Sequence, residues 1–346
     1  MNRWSTLRLR AAAVTFAALA VLMLVVGVVG ETMLGRSDQR VVVEFLLTAG
    51  MVIAIQCFVG NSGIISFGHV AFFGLAAYGT ALAAIPADVK TDALPALPDS
   101  LASLELGLIG AVGVGVLVVT VFAVATGAPF SRMDVSVVPM ATLAWLVVIH
   151  AVINRWNGLT GGPTGISRVP DLVGVPQALV TVLFITAVAL LYGASPWGLR
   201  LQAVREDPVA AASLGIPVAL TRFIGWMVSA VLMAVGGGMW ALNALAFSPA
   251  QFFFAETFAL LAMLVIGGLG SVTGAVAGAA AITVLSQLLR DLENGLSIGT
   301  LSLPALPGII QLATAVLILG VLIWRPGGAF GNREIGDLLP RGGRVK

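Results

Sequence analysis

Residues 197–222 read WGLRLQAVREDPVAAASLGIPVALTR. This is the longest charge-bearing stretch expected on the cytoplasmic side of a chain that is otherwise almost all lipid-soluble. Asp207 suits a helix N-cap, Pro208 the first helical position, and Gly215 the residue just past the end. Glu206 and Asp207 place negative charge at the positive end of that helix, and Pro217 prevents continuation. The spacing predicts an alanine-rich knob of two turns over 208–214, about 10 Å long at ~1.5 Å per residue. A membrane protein that keeps one short, punctuated helix in water can use it to touch a partner. The plainer alternative is a capped connector between two spans.

Working outward, the composition fixes the compartment. Hydrophobic residues make up 59% of the 346 and charged residues 10%, against roughly 45–50% and 25% in soluble domains. So little charge cannot cover a soluble globule, and the fold class expected is an all-α, polytopic integral membrane protein in contact with lipid. The net charge is +2 and only two lysines and two histidines occur, which leaves no basic stripe for nucleic acid. Cys57 is the single cysteine, so no internal disulfide can form. It reads as a small buried apolar residue.

Apolar runs long enough to cross a bilayer lie at about 11–30, 41–59, 67–85, 107–128, 135–153, 177–195, 223–246, 252–268, 272–289 and 308–324. The first is too long for the apolar core of a signal peptide and reads as a retained span. About ten transmembrane helices result, with both termini cytoplasmic. With the N-terminus inside, twelve Lys and Arg fall on inner segments, among them Arg341, Arg344 and Lys346, and six on outer ones. That is the inside-positive bias of membrane proteins. The outer loop 86–106 is proline-punctuated and acidic, with Asp88, Asp92, Asp99 and Glu105 against Lys90. Loop 154–176 is rich in Gly and Pro and reads as irregular backbone. The organisation expected is a cytoplasmic N-terminus (1–10), a membrane domain (11–324) with a cytoplasmic loop at 197–222, and a cytoplasmic tail (325–346).

Two stretches break the apolar pattern. Gly60-Asn61-Ser62-Gly63-Ile64-Ile65-Ser66-Phe67-Gly68-His69 brings glycine and hydrogen-bonding groups together, and Gly267-Gly268-Leu269-Gly270-Ser271-Val272-Thr273-Gly274 does so again. Irregular backbone at membrane depth occurs where protein buries it or water lines it, and transporters place such discontinuities on their substrate path. Asn61, Ser62, Ser66, Phe67 and His69 are therefore candidates for a translocation path; the alternative is a tight turn before a packing face. In the second stretch the four-residue spacing of Gly270, Gly274 and Gly278 favours helix packing. Glu44, His150 and Glu256 fall near outer helix ends, where snorkelling accounts for them.

Catalytic motifs are missing. No glycine frame precedes Lys90 or Lys346 as in a phosphate-binding loop. No metal-ligand spacing and no nucleophile elbow occur. The chain reads as a non-catalytic subunit without a cofactor, and energy for any transport must come from another chain.

Four blocks together resemble a known family: GNSGIISFGHVAFFGLAAYGTALAA (60–84), NRWNGLTGGPTGI (154–166), GLRLQAVREDPVAAASLGIPVALTRFIGWMVSAVLMAVGGGMWAL (198–242) and SPAQFFFAETFALLAMLVIGGLGSVTGAVAGA (248–279). The tail LPGIIQLATAVLILGVLIWRPGGAFG (306–331) is similar as well. The family is the permease subunits of branched-chain amino-acid ABC importers, in their LivM-like branch. The resemblance implies a multi-pass protein of the bacterial plasma (inner) membrane that lines a path together with a homologous second permease. Two ATP-binding subunits would dock beneath, and a solute-binding protein would deliver ligand outside. It further implies that Arg205, Glu206, Asp207, Ala211 and Gly215 couple to the ATPase, and that Thr160, Gly161 and Gly162 belong to the path. Urea or short-amide permeases share the blocks, and an ion-coupled secondary carrier is the alternative of another class.

Overall fold

A computed structural model describes residues 3–33, 35–93, 97–98, 102–294, 297–298, 301–302, 306, 308–325, 327–331 and 333–338. Its helices are α1 (Arg3–Met33), α2 (Arg36–Ser62), α3 (His69–Ala84), α4 (Ala87–Ala93), α5 (Leu108–Phe130), α6 (Val138–Arg155) and α7 (Asn157–Thr160). There follow α8 (Val175–Ala194), α9 (Pro196–Glu206), α10 (Pro208–Ser213), α11 (Val218–Ala244), α12 (Phe254–Gly267), α13 (Val272–Asn294) and α14 (Ile309–Trp324). Extended structure among the described residues is slight: Ser297–Ile298 pairs antiparallel with Leu301–Ser302, and Ile166 bridges Phe247.

Each of the ten apolar runs falls on a helix, yet among the described residues only α1, α2, α5, α6, α8, α11 and α13 are long and apolar enough to cross a membrane. The chain is a multi-pass membrane protein. Helices α3, α12 and α14 are shorter, and for two of them the cause is local. The run at 67–85 loses Phe67 and Gly68 to irregular backbone, and the run at 252–268 loses Phe252 to a 3-10 turn at Pro249–Phe252. Loop 154–176 is less irregular than its composition suggests, since it contains α7 and a 3-10 turn at Gly162–Thr164.

Helix α2 is the axis of the bundle. Of its most apolar window 72% is buried, against 22% for α1 and for α5, which leaves those two to lipid. Beside it α3 buries 14 of its 16 residues. Association in a bilayer rests on close packing rather than on a hydrophobic drive, and the contact surfaces are correspondingly small. A Cβ on Gly238 of α11 would stand 2.6 Å from Thr80 Oγ1 of α3, and one on Gly237 2.7 Å from the Phe73 ring. A Cβ on Gly115 of α5 would stand 2.8 Å from the Ala76 carbonyl. Trp226 fills the space between these helices, with edge-on ring contacts to Phe58, Phe72 and Phe130 at 5.3–5.4 Å.

The segments assigned to one side by charge lie together. The start of α1, the end of α2, the α8–α9 junction, Arg205, Gly270 and Glu334 surround one cavity, while Arg222 donates to the carbonyl of Met133 at 3.2 Å. At the opposite end, loop 154–176 is stitched to the α11–α12 connector: Ile166 and Phe247 exchange two backbone hydrogen bonds, and Val169 donates to Leu245. Arg40 and Asp171 form an exposed ion pair there at 3.8 Å. Within loop 86–106, Lys90 of α4 is buried and donates to the Leu104 carbonyl. That burial pulls its ammonium below the usual lysine value, while Glu105 pulls the other way. Asp99 of this loop lies outside the described residues, as do Arg341, Arg344 and Lys346 of the tail.

The described part of that tail is packed against the bundle. Ala329 and Phe330 donate backbone hydrogen bonds to Ile266 and Gly267 at 2.9 Å. Gly336 donates to Thr15 Oγ1 of α1 at 3.0 Å. The Glu334 carboxylate accepts from the Val272 and Thr273 amides and from Thr273 Oγ1, at 2.6–3.1 Å. Residues 327–331 and 333–338 thus form a strap beneath α1, α12 and α13, and Glu334 caps the amide end of α13 where a carboxylate is most favourable.

Candidate functional site

The knob forms as its residue types dictate. Asp207 is extended (φ −155°), and its Oδ1 accepts from the amides of Val209 and Ala210 at 2.8 and 3.0 Å. Pro208 opens α10 at no cost in hydrogen bonds, because that first amide has no helical partner. At the far end Gly215 adopts φ +80°; Ile216 then reaches back to the Ala211 carbonyl at 3.1 Å and Gly215 to Ala212 at 2.9 Å. This is the left-handed helix stop for which glycine is suited. The face turned outward is apolar, with Val209 75% and Leu214 83% exposed. Ala211, named among the coupling residues, is buried at 3%. It seats the knob on the bundle, and Val209, Ala210, Ala212 and Leu214 are left exposed.

The knob is tied to the first glycine break. At the end of α9, Arg205 Nη1 donates to the Gly60 carbonyl at 2.8 Å, while its Nε and Nη2 hold Glu206 Oε1 at 3.2 and 3.0 Å. Gln202, one turn earlier, donates to Asn61 Oδ1 at 2.8 Å, and Asn61 Nδ2 donates to the Cys57 carbonyl at 2.8 Å. Gly63 ends α2 at φ +70°, and a Cβ there would stand 2.6 Å from Arg205 Cγ. The absence of a side chain lets the arginine stem lie across the break. The second break is close by: Gly60 abuts the Leu269 carbonyl. Three features far apart in the sequence therefore meet at one place.

Within the first break the polar side chains face each other. Ser62 Oγ accepts from the Ile64 amide at 3.1 Å. Ser66 Oγ accepts from the Gly68 amide at 3.3 Å and lies 2.9 Å from His69 Nδ1; His69 Nε2 lies 2.7 Å from Ser229 Oγ, which donates to the Ala54 carbonyl at 2.6 Å. One proton arrangement satisfies the whole chain: Ser66 donates to Nδ1, and Nε2–H donates to Ser229. His69 is 1% exposed and ringed by Phe58, Phe72 and Trp226. Its place is a buried knot joining α2, α3 and α11, away from any water-lined surface. Phe67 lies against Phe258, with ring centroids 6.1 Å apart, and its amide donates to Thr142 Oγ1.

The packing glycines divide. A Cβ on Gly274 would stand 2.6 Å from the Gly267 carbonyl, and one on Gly278 would strike the Met263 carbonyl, so both bring α13 onto α12. Gly270 precedes the helix and borders the cavity. Thr160, Gly161 and Gly162 are elsewhere, in loop 154–176 at the end opposite the knob. Thr160 is buried and lies 2.6 Å from the Ile153 carbonyl; it accepts from the Gly162 amide. Gly161 and Gly162 both take positive φ, where Cβ atoms would strike Gly165 and Asn157. The three build a rigid turn, and Trp156 beside it is 55% exposed.

A family model described as branched-chain amino acid transport system, permease component, matches residues 39–323. The chain belongs to this family. It is an ABC-transporter permease, similar to the high-affinity branched-chain amino acid transport system permease protein LivM of Salmonella typhimurium, 25% identical over 88% of this chain and 73% of that one. LivM of Escherichia coli is 23% identical over 89% and 73%. The guanosine ABC transporter permease protein NupQ of Bacillus subtilis is 32% identical over 45% of this chain and 54% of its own. No solved structure gives a significant match.

Several residues of this permease went unread in the sequence. Gln202 and Gln56 frame the break, Ser229 completes the His69 knot, and Glu334 caps α13. Gln56 carried a signal, being a polar residue one helical turn before Gly60 in an apolar run. Glu334 carried none, since its partner lies 61 residues away.

Proposed function

We propose that this permease is a subunit of an importer for branched-chain amino acids in a bacterial plasma membrane. It pairs with a homologous permease, two ATP-binding subunits on the knob side and a solute-binding protein on the other. Ten crossings with both termini in the cytoplasm fit this reading, with α3, α12 and α14 as the short ones. The observation that carries it is the bond from Arg205 to Gly60. It joins the end of α9, which leads into the exposed apolar knob, to the last turn of α2 just before the break, so a push on α10 is carried to the edge of that discontinuity. The two LivM relatives support the branched-chain amino-acid cargo. The guanosine relative supports a nucleoside as the second reading.

Reconstitution tests both. Liposomes carrying the full complex should accumulate labelled leucine only with ATP and the solute-binding protein present. Uptake by this chain alone down an ion gradient would make it a secondary carrier, and competition by guanosine in place of leucine would reassign the cargo. Leu214→Glu should leave insertion intact while reducing ATP-driven uptake at least tenfold, an estimate from the loss of one buried apolar anchor.

A further inference from the structure

Gln202 and Arg205 lie three residues apart on α9 and so share one face of that helix. They reach consecutive residues of α2. Arg205 Nη1 donates to the Gly60 carbonyl and Gln202 Nε2 to Asn61 Oδ1, both at 2.8 Å. Gln202 Nε2 also donates to the Gly193 carbonyl at the end of α8, at 3.4 Å. Asn61 is fixed from behind, because its Nδ2 donates to the Cys57 carbonyl at 2.8 Å, one turn back in α2. Its oxygen is thereby committed to Gln202, and only a donor at position 202 satisfies it. One bond between two helices lets them swivel; two bonds a turn apart fix their relative direction. Beside them lies a cavity of about 630 Å³ that Gly60, Asn61, Gln202 and Arg205 all border. The gripped ends of α2 and α9 can therefore shift together without repacking a close-packed interior.

We infer that Gln202 is a positioning residue of the coupling apparatus. With Arg205 it makes a two-point clamp by which α9 carries the last turn of α2, and Asn61 is the receiving half of that clamp rather than a lining residue of the path. The knob follows α9 directly, so its displacement arrives at both points at once. Arg205 alone would transmit a pull and lose a rotation. The inference rests on the importer reading for the ATP-driven partner at the knob, and on the Gln202–Asn61 pair for the clamp.

Gln202→Glu keeps the shape and removes the donor, whereas Gln202→Lys keeps a donor at similar reach. In liposomes with the full complex, Gln202→Glu should lower leucine taken up per ATP hydrolysed about fivefold, the scale of one neutral hydrogen bond. Gln202→Lys should recover most of that ratio. Asn61→Ala should lower it too, leave the ranking of competing solutes unchanged, and add little when combined with Gln202→Glu. A merely structural role would lower ATP hydrolysis and uptake in proportion, and that result overturns the clamp. An altered solute ranking in Asn61→Ala overturns it as well and returns Asn61 to the path. Hydrogen exchange over residues 57–63, with and without ATP and vanadate, reads the clamp with no solute present. Nucleotide should change exchange there in the native chain and in Gln202→Lys, and less so in Gln202→Glu. An equal change in Gln202→Glu sinks the clamp and leaves the importer reading intact. The expected exchange pattern in a complex that takes up no leucine sinks that reading and leaves the clamp standing.

Discussion

The guanidinium of Arg205 and the carbonyl of Gly60 lie 2.8 Å apart across 145 residues of sequence. The carbonyl belongs to the last turn of α2, the negative end of that helix, so a cation is the favoured partner. The same guanidinium keeps Glu206 on its other edge. A planar fork can serve both acceptors at once, which a single ammonium cannot.

Arg205→Lys should therefore behave much like Arg205→Ala. Either is expected to cost about 1–2 kcal/mol of stability, the low end for a charged hydrogen bond because the side chain is 29% exposed. Uptake should fall further than stability does. Thermal unfolding in detergent and ATP-driven uptake in liposomes separate the two effects, and normal uptake in the lysine variant would remove the strut from the mechanism.

His69 should prove structural. Replacing it with Ala leaves Ser66 and Ser229 facing a void, and a buried network broken in this way costs about 3–5 kcal/mol. The expected result is poor assembly. A His69→Ala and Ser229→Ala double-mutant cycle should show a coupling of about 1 kcal/mol or more. Altered solute preference in a well-assembled His69 variant would return it to the path.

Gly278→Val should destabilise the chain by at least ~2 kcal/mol, because the new side chain meets the Met263 backbone, which cannot move aside cheaply. Gly113→Ala is the control. It lies on α5 with nothing within 4 Å of the added carbon, and unfolding midpoints should change little.

Gly215→Val places a β-branched residue at φ +80° and should cost about 1–2 kcal/mol. The loss is confined to the knob. Hydrogen exchange should therefore rise at Gly215 and Ile216 while the spans keep their protection.

Glu334→Ala should expose the amide end of α13 and cost about 1–2 kcal/mol, in the manner of a lost N-cap. Glu334→Gln keeps one acceptor oxygen and should retain part of the effect. Limited proteolysis at the strap gives the ordering.

What could be read before any coordinates were features closed within a few residues. Asp207, Pro208 and Gly215 set the ends of α10 by local hydrogen bonds, and ten apolar runs gave ten helices because composition over twenty residues is a local property. Where a helix begins within such a run is set by the backbone at its edge, and so α3 and α12 are shorter than their runs. His69 was legible as a polar residue at a break. Its burial was not, since Ser229 stands 160 positions away. The burial of Ala211 was not legible either, because a six-residue helix of small residues has no hydrophobic pattern to orient it.

The bond between Gly336 and Thr15 spans 321 positions, and it sets an order of events during biosynthesis. All ten apolar helices leave the ribosome before the segment that closes the floor beneath α1 and α13. Until that segment arrives, the amide end of α13 lacks its carboxylate and the underside of the bundle is open to water. Newly inserted chains should therefore pass through a stage that is embedded yet unfinished.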